Sequence, residues 1–224
     1  DFYFGDAFAE DKIVEFVRPK SGIPFAFITW GGMIGTVSGM NMEGIAVTIN
    51  AAKSDIPTSA AAPVSLVARE ILQYAASIEQ AVQIAKRRQM FVAESFMVSS
   101  ANDERAIIIE KTPTKLDTFS VTNGRLICAN HFQSSLFEND SVNTINRREN
   151  ATGYRFKRTK QLIGQTESFT PDSVANVLRD INGLDDASIG IGNEKAINQM
   201  ISHHSIIFQP TDRKFWVSTN PDVF

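Results

Sequence analysis

The sequence predicts an α+β domain of two mainly antiparallel sheets, each covered by a layer of helices. Three observations carry that prediction. β-rich stretches with period-two alternation gather in two blocks, one at the front of the chain and one near its middle. A pair of helical segments follows each block, and a last pair of β-rich segments comes near the end. The resulting order of strands, two helices, strands, two helices, strands is what sheets that each bury one face under helices require. With 224 residues, no internal repeat and no linker that would divide it, the stretch 1–224 reads as one domain with one sizeable core.

Taken in order, Asp1-Phe2-Tyr3-Phe4 is already strand-like and carries no initiator Met. Ile13 to Val17 and Phe25 to Trp30 read as strands separated by the turn Pro19-Lys20-Ser21-Gly22. The hairpin that follows is the stretch on which the rest depends. Met33 to Met40 alternates apolar and small residues, Asn41 to Gly44 supplies residues that tolerate left-handed backbone angles, and Ile45 to Ala51 forms the second strand. Ile45, Val47 and Ile49 then share one face, a core row, while Ala46, Thr48 and Asn50 line the other. A loop rich in Ala, Ser and Pro, Lys53 to Pro63, marks the switch to helices, with Pro63 in the first turn where its missing N–H does no harm. Val64, Val67, Ala68, Ile71, Leu72 and Ala75 recur at helical spacing. Ser77 with Gln80 forms a capping-box pattern at the start of a second helix, Ile78 to Arg88, whose basic residues sit at the end the dipole favours.

Strands return at Ser95 to Ala101 and Arg105 to Thr112, flanking Asn102-Asp103-Glu104. Asp117 to Thr122 and Arg125 to Phe132 flank Asn123-Gly124, the strongest short hairpin signal. In the last of these strands Leu126, Cys128, Asn130 and Phe132 are expected on one face, with Ile127, Ala129 and His131 on the other. After a polar loop, a helix is expected from about Ala151 to Ile163. Another begins with Thr170 as cap and Pro171 at its first position, and ends before Gly183. His204 to Phe208 and Phe215 to Ser218 are expected to pair as strands.

Composition narrows the function classes. Hydrophobic residues at 43% and charged residues at 21% describe an ordinary globular chain rather than a disordered one. A net charge of −3 argues against non-specific nucleic-acid binding, which needs a basic excess. The single cysteine, Cys128, excludes an internal disulfide and a Cys-based metal cluster, and leaves the compartment open. No apolar run approaches the ~20 residues of a membrane helix, and no signal-peptide pattern is visible. His131, His203 and His204 are too scattered for a metal site. Walker and GxGxxG loops are lacking, and Gly190-Ile191-Gly192-Asn193 is a turn.

Three residues invite a chemical reading. Asn50 ends a strand with only small residues behind it on its face, which leaves room for a ligand and aims an NH2 that could donate to an oxyanion. A turn-side Asn serving its local backbone is the commoner use of such a residue. Cys128 has a histidine three residues on, but i and i+3 diverge on a strand, so it reads as a small buried hydrophobe. Arg147 to Lys160 holds six basic residues against one acid, the pattern of a solvated helix face. Arg155 lies between Tyr154 and Phe156, with Leu162 beyond. It is expected to point inward while Lys157, Arg158 and Lys160 stay in water.

These residues carry a resemblance. Gly39-Met40-Asn41-x-x-Gly44-Ile45-x-x-x-x-Asn50 is similar to the central hairpin of the N-terminal-nucleophile amidohydrolases, close to their acyl-coenzyme A:6-aminopenicillanic acid acyltransferase-like branch. Choloylglycine hydrolases and penicillin V acylases are more distant likenesses. Ile127-Cys128-Ala129-Asn130-His131-Phe132 resembles that family's second Asn-bearing strand, Thr152-Gly153-Tyr154-Arg155-Phe156 its Arg-bearing helix, and Asp1-Phe2 the pair that follows its nucleophile strand. The similarity runs over nearly the whole chain.

What the resemblance implies is a four-layer αββα sandwich acting on a small-molecule linear amide through an N-terminal cysteine, freed by self-processing or Met removal. The cysteine's own α-amine, with an ordinary pKa of ~7.7–8.0, would take the thiol proton, and no cofactor is needed. Asp1 would match the carboxylate that holds that amine, Asn50 the oxyanion donor, and Asn130 with Arg155 the polar pair that orders the site. The family's cysteine lies upstream of that Asp, so the expectation is that the nucleophile strand precedes this chain and that a closing strand follows Phe224 in the parent. The leading reading is an amidohydrolase or acyltransferase whose activity this chain lacks by itself. The alternatives are an inactive domain of the same fold that binds a small acylated ligand, and a structural or interaction domain. A homo-oligomer is compatible with each.

Overall fold

The computed structural model describes residues 12–54, 60–122 and 124–218. Seven strands, β1 (Lys12–Val17), β2 (Phe25–Trp30), β3 (Ser38–Asn41), β4 (Ile45–Ala51), β5 (Glu94–Ser100), β6 (Arg105–Lys111) and β7 (Leu116–Phe119), lie in sequence order as one antiparallel meander. Two helices, α1 (Val64–Tyr74) and α2 (Ile78–Arg87), are inserted between β4 and β5 without disturbing that order. Three more helices, α3 (Ser141–Glu149), α4 (Ala151–Gln165) and α5 (Pro171–Leu178), precede a two-stranded antiparallel sheet of β8 (Ser205–Gln209) and β9 (Lys214–Ser218).

Strand alternation divides the large sheet into two working faces. Phe25, Phe27, Ile45, Val47, Phe96, Val98, Ile107 and Ile109 all point to the side where α1 and α2 lay down Val67, Ala68, Ile71, Leu72, Ile78, Ala81, Ile84 and Ala85. Each fully buried Ile or Leu there contributes about 1.5–3 kcal/mol. The opposite face carries Ile28, Trp30 and Val37, which pack against Ile206 of β8 and Val217 of β9. With α5 against β8, the layers are helices, large sheet, small sheet, helices: an α+β, αββα sandwich.

The β3–β4 hairpin is tied to the helical layer by a residue whose role differs from the expected one. Asn41 is the buried last residue of β3, and of the turn residues only Gly44 takes a left-handed angle, φ +79°. The Asn41 amide donates to the carbonyls of Leu72 and Ala75, both at 2.8 Å, satisfying groups at the end of α1. Its oxygen accepts from the N–H groups of Glu43 and Ile45 at 3.1 and 3.0 Å. One side chain thus fixes the turn, and with it the register that carries Asn50. The strand before it is also shorter than expected: Met33 to Val37 precedes β3 rather than belonging to it.

The middle of the chain departs further. β7 ends at Phe119, and Arg125 to Phe132 is not a strand. Backbone groups of Ile127, Asn130 and Phe132 pair with side chains instead of with a neighbouring strand. The N–H of Asn130 donates to Thr152 Oγ1 at 2.8 Å, and Phe132 N–H donates to Asn143 Oδ1 at 2.8 Å while its carbonyl accepts from Asn143 Nδ2 at 3.1 Å. The N–H groups of Gln133 and Ser134 donate to the Glu110 carboxylate at 2.6 and 2.9 Å. Arg125 turns away to the end of α4, donating to the carbonyls of Ile163 and Thr166 at 2.7 and 3.2 Å.

What was expected as a polar loop contains α3, a helix of inverted polarity. It buries Asn143 and Asn146 and exposes Val142 and Ile145. Asp140 caps it, accepting from Asn143 N–H at 2.8 Å. At the α3–α4 corner a side chain on Gly153 would meet the Arg147 carbonyl at 2.1 Å, so only glycine permits the close approach that starts α4.

Candidate active site

Asn50 sits next to last in β4, on the face away from α1 and α2, as the alternation predicts. Its cross-strand neighbours are Ser95 on β5 and then Glu110 on β6, so a row of polar residues crosses the sheet under the 128–134 segment. The Asn50 oxygen accepts from Thr48 Oγ1 at 3.5 Å, and among the described residues its NH2 has no acceptor.

Asn130 is pinned on every side. Its NH2 donates to the Ala51 carbonyl at the end of β4, 3.0 Å away, and its carbonyl accepts from Asn146 Nδ2 of α3 at 2.6 Å. Its side-chain oxygen accepts from Arg155 Nη2 of α4 at 2.7 Å, and since a guanidinium only donates, this fixes which way the amide faces. Arg155 spends its other arm on the Glu194 carbonyl at 2.8 Å, and burial holds its guanidinium below the ordinary arginine value. Arg155 is therefore half-buried and turned inward, whereas Lys157 and Lys160 are exposed.

Arg158 was expected in water with them, and that is corrected. Its side chain is 2% exposed, bound by two arms to Asp180 at 2.9 and 2.7 Å and to Asp186 at 2.9 Å. Facing carboxylates favour the charged guanidinium and raise its pKa. The helical period separates it from Lys157 and Lys160, and the acids that receive it lie more than twenty residues on.

Asn50, Asn130 and Arg155 line one cavity of about 280 Å³, with Thr159, Val177 and Gln199 on its other walls. A second cavity of about 300 Å³ adjoins it beneath Trp30, Val37, Ser38 and His204. Asn50, Leu178, Ile201 and Ser202 belong to both, so Asn50 stands on the shared wall. Asp1 lies outside the described residues.

Cys128 also lines the first cavity, but its chemistry is that of a resting thiol. Burial, reinforced by the nearby Glu110 and Glu94 carboxylates, pushes its pKa far above the usual thiol range, and the thiolate is the nucleophilic form. His131 is committed elsewhere, its Nδ1 2.9 Å from Thr152 Oγ1 and its ring edge-on to Phe156. Among the described residues no group of three or more His, Cys, Asp or Glu side chains is placed to hold a metal ion, and no helix is long and apolar enough to cross a membrane.

Sequence reasoning alone does not reveal the supporting roles of Glu110, Asn143, Asn146 and Thr152. A carboxylate in the apolar strand Ile107-Ile108-Ile109-Glu110 and three asparagines within Asn143 to Asn150 were the available signals.

His131 gives the site a pH dependence. Burial first, then Arg147 and Arg155, pull its pKa from 6.5 down to about 4. The folded state therefore prefers the neutral ring, and the stabilisation is complete above pH 6.5. It is lost as pH falls from 6.5 toward 4, at a cost on the order of 2–3 kcal/mol. His204, also lowered to about 4 by burial, then by Lys12 and His203, acts with the same sign. Unfolding titrations at pH 7 and 4.5 are expected to differ less in His131→Asn than in the parent; equal differences would refute the assignment.

No curated protein matches the sequence. Among solved structures, the Caenorhabditis elegans N-acylethanolamine-hydrolyzing acid amidase ortholog superposes with TM-score 0.57 at 14% identity, over 97% of this chain and 83% of that one. A variant of the conjugated bile acid hydrolase from Clostridium perfringens superposes with TM-score 0.56 at 12% identity, over 94% of this chain and 82% of that one. At such identities the likeness establishes the shared fold, that of the N-terminal-nucleophile hydrolases. The sequence itself goes further, because the profile of one family spans residues 8–221, the hairpin, the Asn130 segment and the Arg155 helix included. The chain belongs to the acyl-coenzyme A:6-aminopenicillanic acid acyl-transferase family.

Proposed function

We propose that this chain forms the oxyanion and positioning side of a site that cleaves a linear, non-peptide amide, or passes on its acyl group, through a cysteine thioester. The observation that carries the reading is the convergence of Asn50, Asn130 and Arg155 on one cavity, with Arg155 locked to Asn130 at 2.7 Å. In this reading the nucleophile is a cysteine upstream of Asp1 in the parent protein, and its thiol proton passes to its own α-amine. Attack forms the C–S bond and moves the carbonyl electron pair onto oxygen, where the Asn50 NH2 donates. Collapse breaks the C–N bond, and the amine leaves with the proton held by the α-ammonium. Water or a second amine then attacks the thioester and frees the thiol. Asn130 and Arg155 hold the end of β4 against α4, which keeps Asn50 aimed.

Family membership supports acyl transfer as the reaction class, and a Cys128 thiol whose pKa is pushed up supports a nucleophile elsewhere. The test compares this chain with one extended upstream through the cysteine, on a chromogenic acyl amide. Turnover by the extended chain and only background from the 224-residue chain is the expected result. Equal activity in both, or undiminished activity when the upstream cysteine is changed to alanine, would overturn it.

A further inference from the structure

A cavity of about 570 Å³ lies apart from the one that Asn50 lines. It lies where the C-terminal end of α2 meets the β6–β7 turn, and Lys86, Arg87, Arg88, Lys111 and Lys115 line it against one carboxylate, Asp117. Five cations in one cavity run against the chain's net charge of −3. Lys86 and Arg87 complement the end of the helix dipole. Arg87 and Arg88 are held by Glu70 at 2.5 and 2.6 Å. Neither reason extends to Lys111 and Lys115, which come from β6 and the turn after it.

Lys111 is the telling residue. It is 6% exposed, yet among the described residues its ammonium has neither a hydrogen-bond nor an ion-pair partner. The side chain is largely enclosed while its Nζ is not sealed off, so the ammonium opens into the cavity, and partial burial holds its pKa below the usual lysine value. The residue directly across the ladder is Glu94. Burial pushes the Glu94 carboxyl up to about 8, and the carboxyl makes no ion pair with Lys111. Glu110 points to the other face, toward Gln133 and Ser134.

We propose that this cavity binds a ligand carrying two or more phosphate charges, with Lys111 at its floor and Lys86 and Lys115 at its rim. A multiply charged phosphate supplies the counter-charge that these three ammoniums lack among the described residues, and the guanidiniums of Arg87 and Arg88 beside them suit its oxygens. The site is on the helical side of the sheet, away from Asn50, and is independent of the proposed amide chemistry.

The test uses inorganic pyrophosphate with the whole chain at low salt, read by calorimetry and by thermal unfolding. Pyrophosphate is expected to bind and to raise Tm. Lys111→Met is expected to weaken binding about tenfold or more, and Lys86→Met with Lys115→Met to weaken it comparably. Lys111→Met is expected to leave the Tm of the unliganded protein at or above the parent's, since the ammonium has no protein partner to lose among the described residues; lost binding then cannot be lost folding. Two further arms separate sources of the phosphate: competition by ADP assigns a soluble ligand, and sedimentation with phosphatidylinositol bisphosphate vesicles, abolished by Lys111→Met, assigns a lipid headgroup. Absence of pyrophosphate binding at low salt, or an affinity that Lys111→Met leaves unchanged, would overturn the proposal.

Discussion

Asn50→Ala, introduced into a chain that carries the upstream cysteine, is expected to lower turnover by about 10²–10³-fold, the range for loss of one oxyanion donor. The expectation rests on two features. Asn50 stands on the wall between two cavities, and among the described residues its NH2 serves no protein acceptor, so no part of the fold depends on it. Its oxygen has only the 3.5 Å approach of Thr48. The variant's Tm should therefore match the parent's, and KM should change little, because the interaction is made when charge develops on the carbonyl oxygen. Full activity would remove Asn50 from the mechanism, and a large fall in Tm would return it to a structural role.

Arg158→Met is expected to have the largest effect on stability, a loss of about 3 kcal/mol or more. The substitution leaves the Asp180 carboxylate, 9% exposed, without the two-armed partner that now satisfies it. For a chain of this size that corresponds to a fall in Tm of roughly 6–12 °C. Asp186→Ala removes the other contact, but Asp186 is 72% exposed and should cost no more than about 1 kcal/mol. Chemical denaturation of the two variants separates the cases. Equal small losses would mean that Arg158 is solvated, as the run of basic residues around it had suggested.

The two variants mark where the sequence could be read and where it could not. The faces of β4 followed from alternation alone, because Ile45 and Val47 lie on the core side and Thr48 and Asn50 on the other. α2 and α5 announced themselves through local chemistry. Ser77 accepts from Gln80 N–H at 3.3 Å, and Thr170 and Ser173 close a capping box, each a contact within one turn. The segment from Arg125 to Phe132 failed for the converse reason. Asn123-Gly124 is a strong local hairpin signal, but the partners of Asn130 and Phe132 are Thr152 and Asn143, residues no local rule connects to them. α3 was hidden because its buried face is asparagine and its exposed face holds Val142 and Ile145, the reverse of the pattern that reveals a helix. Arg155 and Arg158 look alike in sequence; one reaches Asn130 and the other Asp180, and only the folded chain separates them.

The central claim is that this chain supplies the donors around a thioester formed on a cysteine it does not contain. A thiol-reactive acyl probe, followed by mass mapping of the labelled peptide, tests it most directly. In the chain extended upstream, the account predicts rapid stoichiometric label on the cysteine preceding Asp1. In the 224-residue chain it predicts no label, or slow label at Cys128, whose thiol burial and two carboxylates keep protonated. Rapid, stoichiometric acylation of Cys128 that Cys128→Ser abolishes would contradict it.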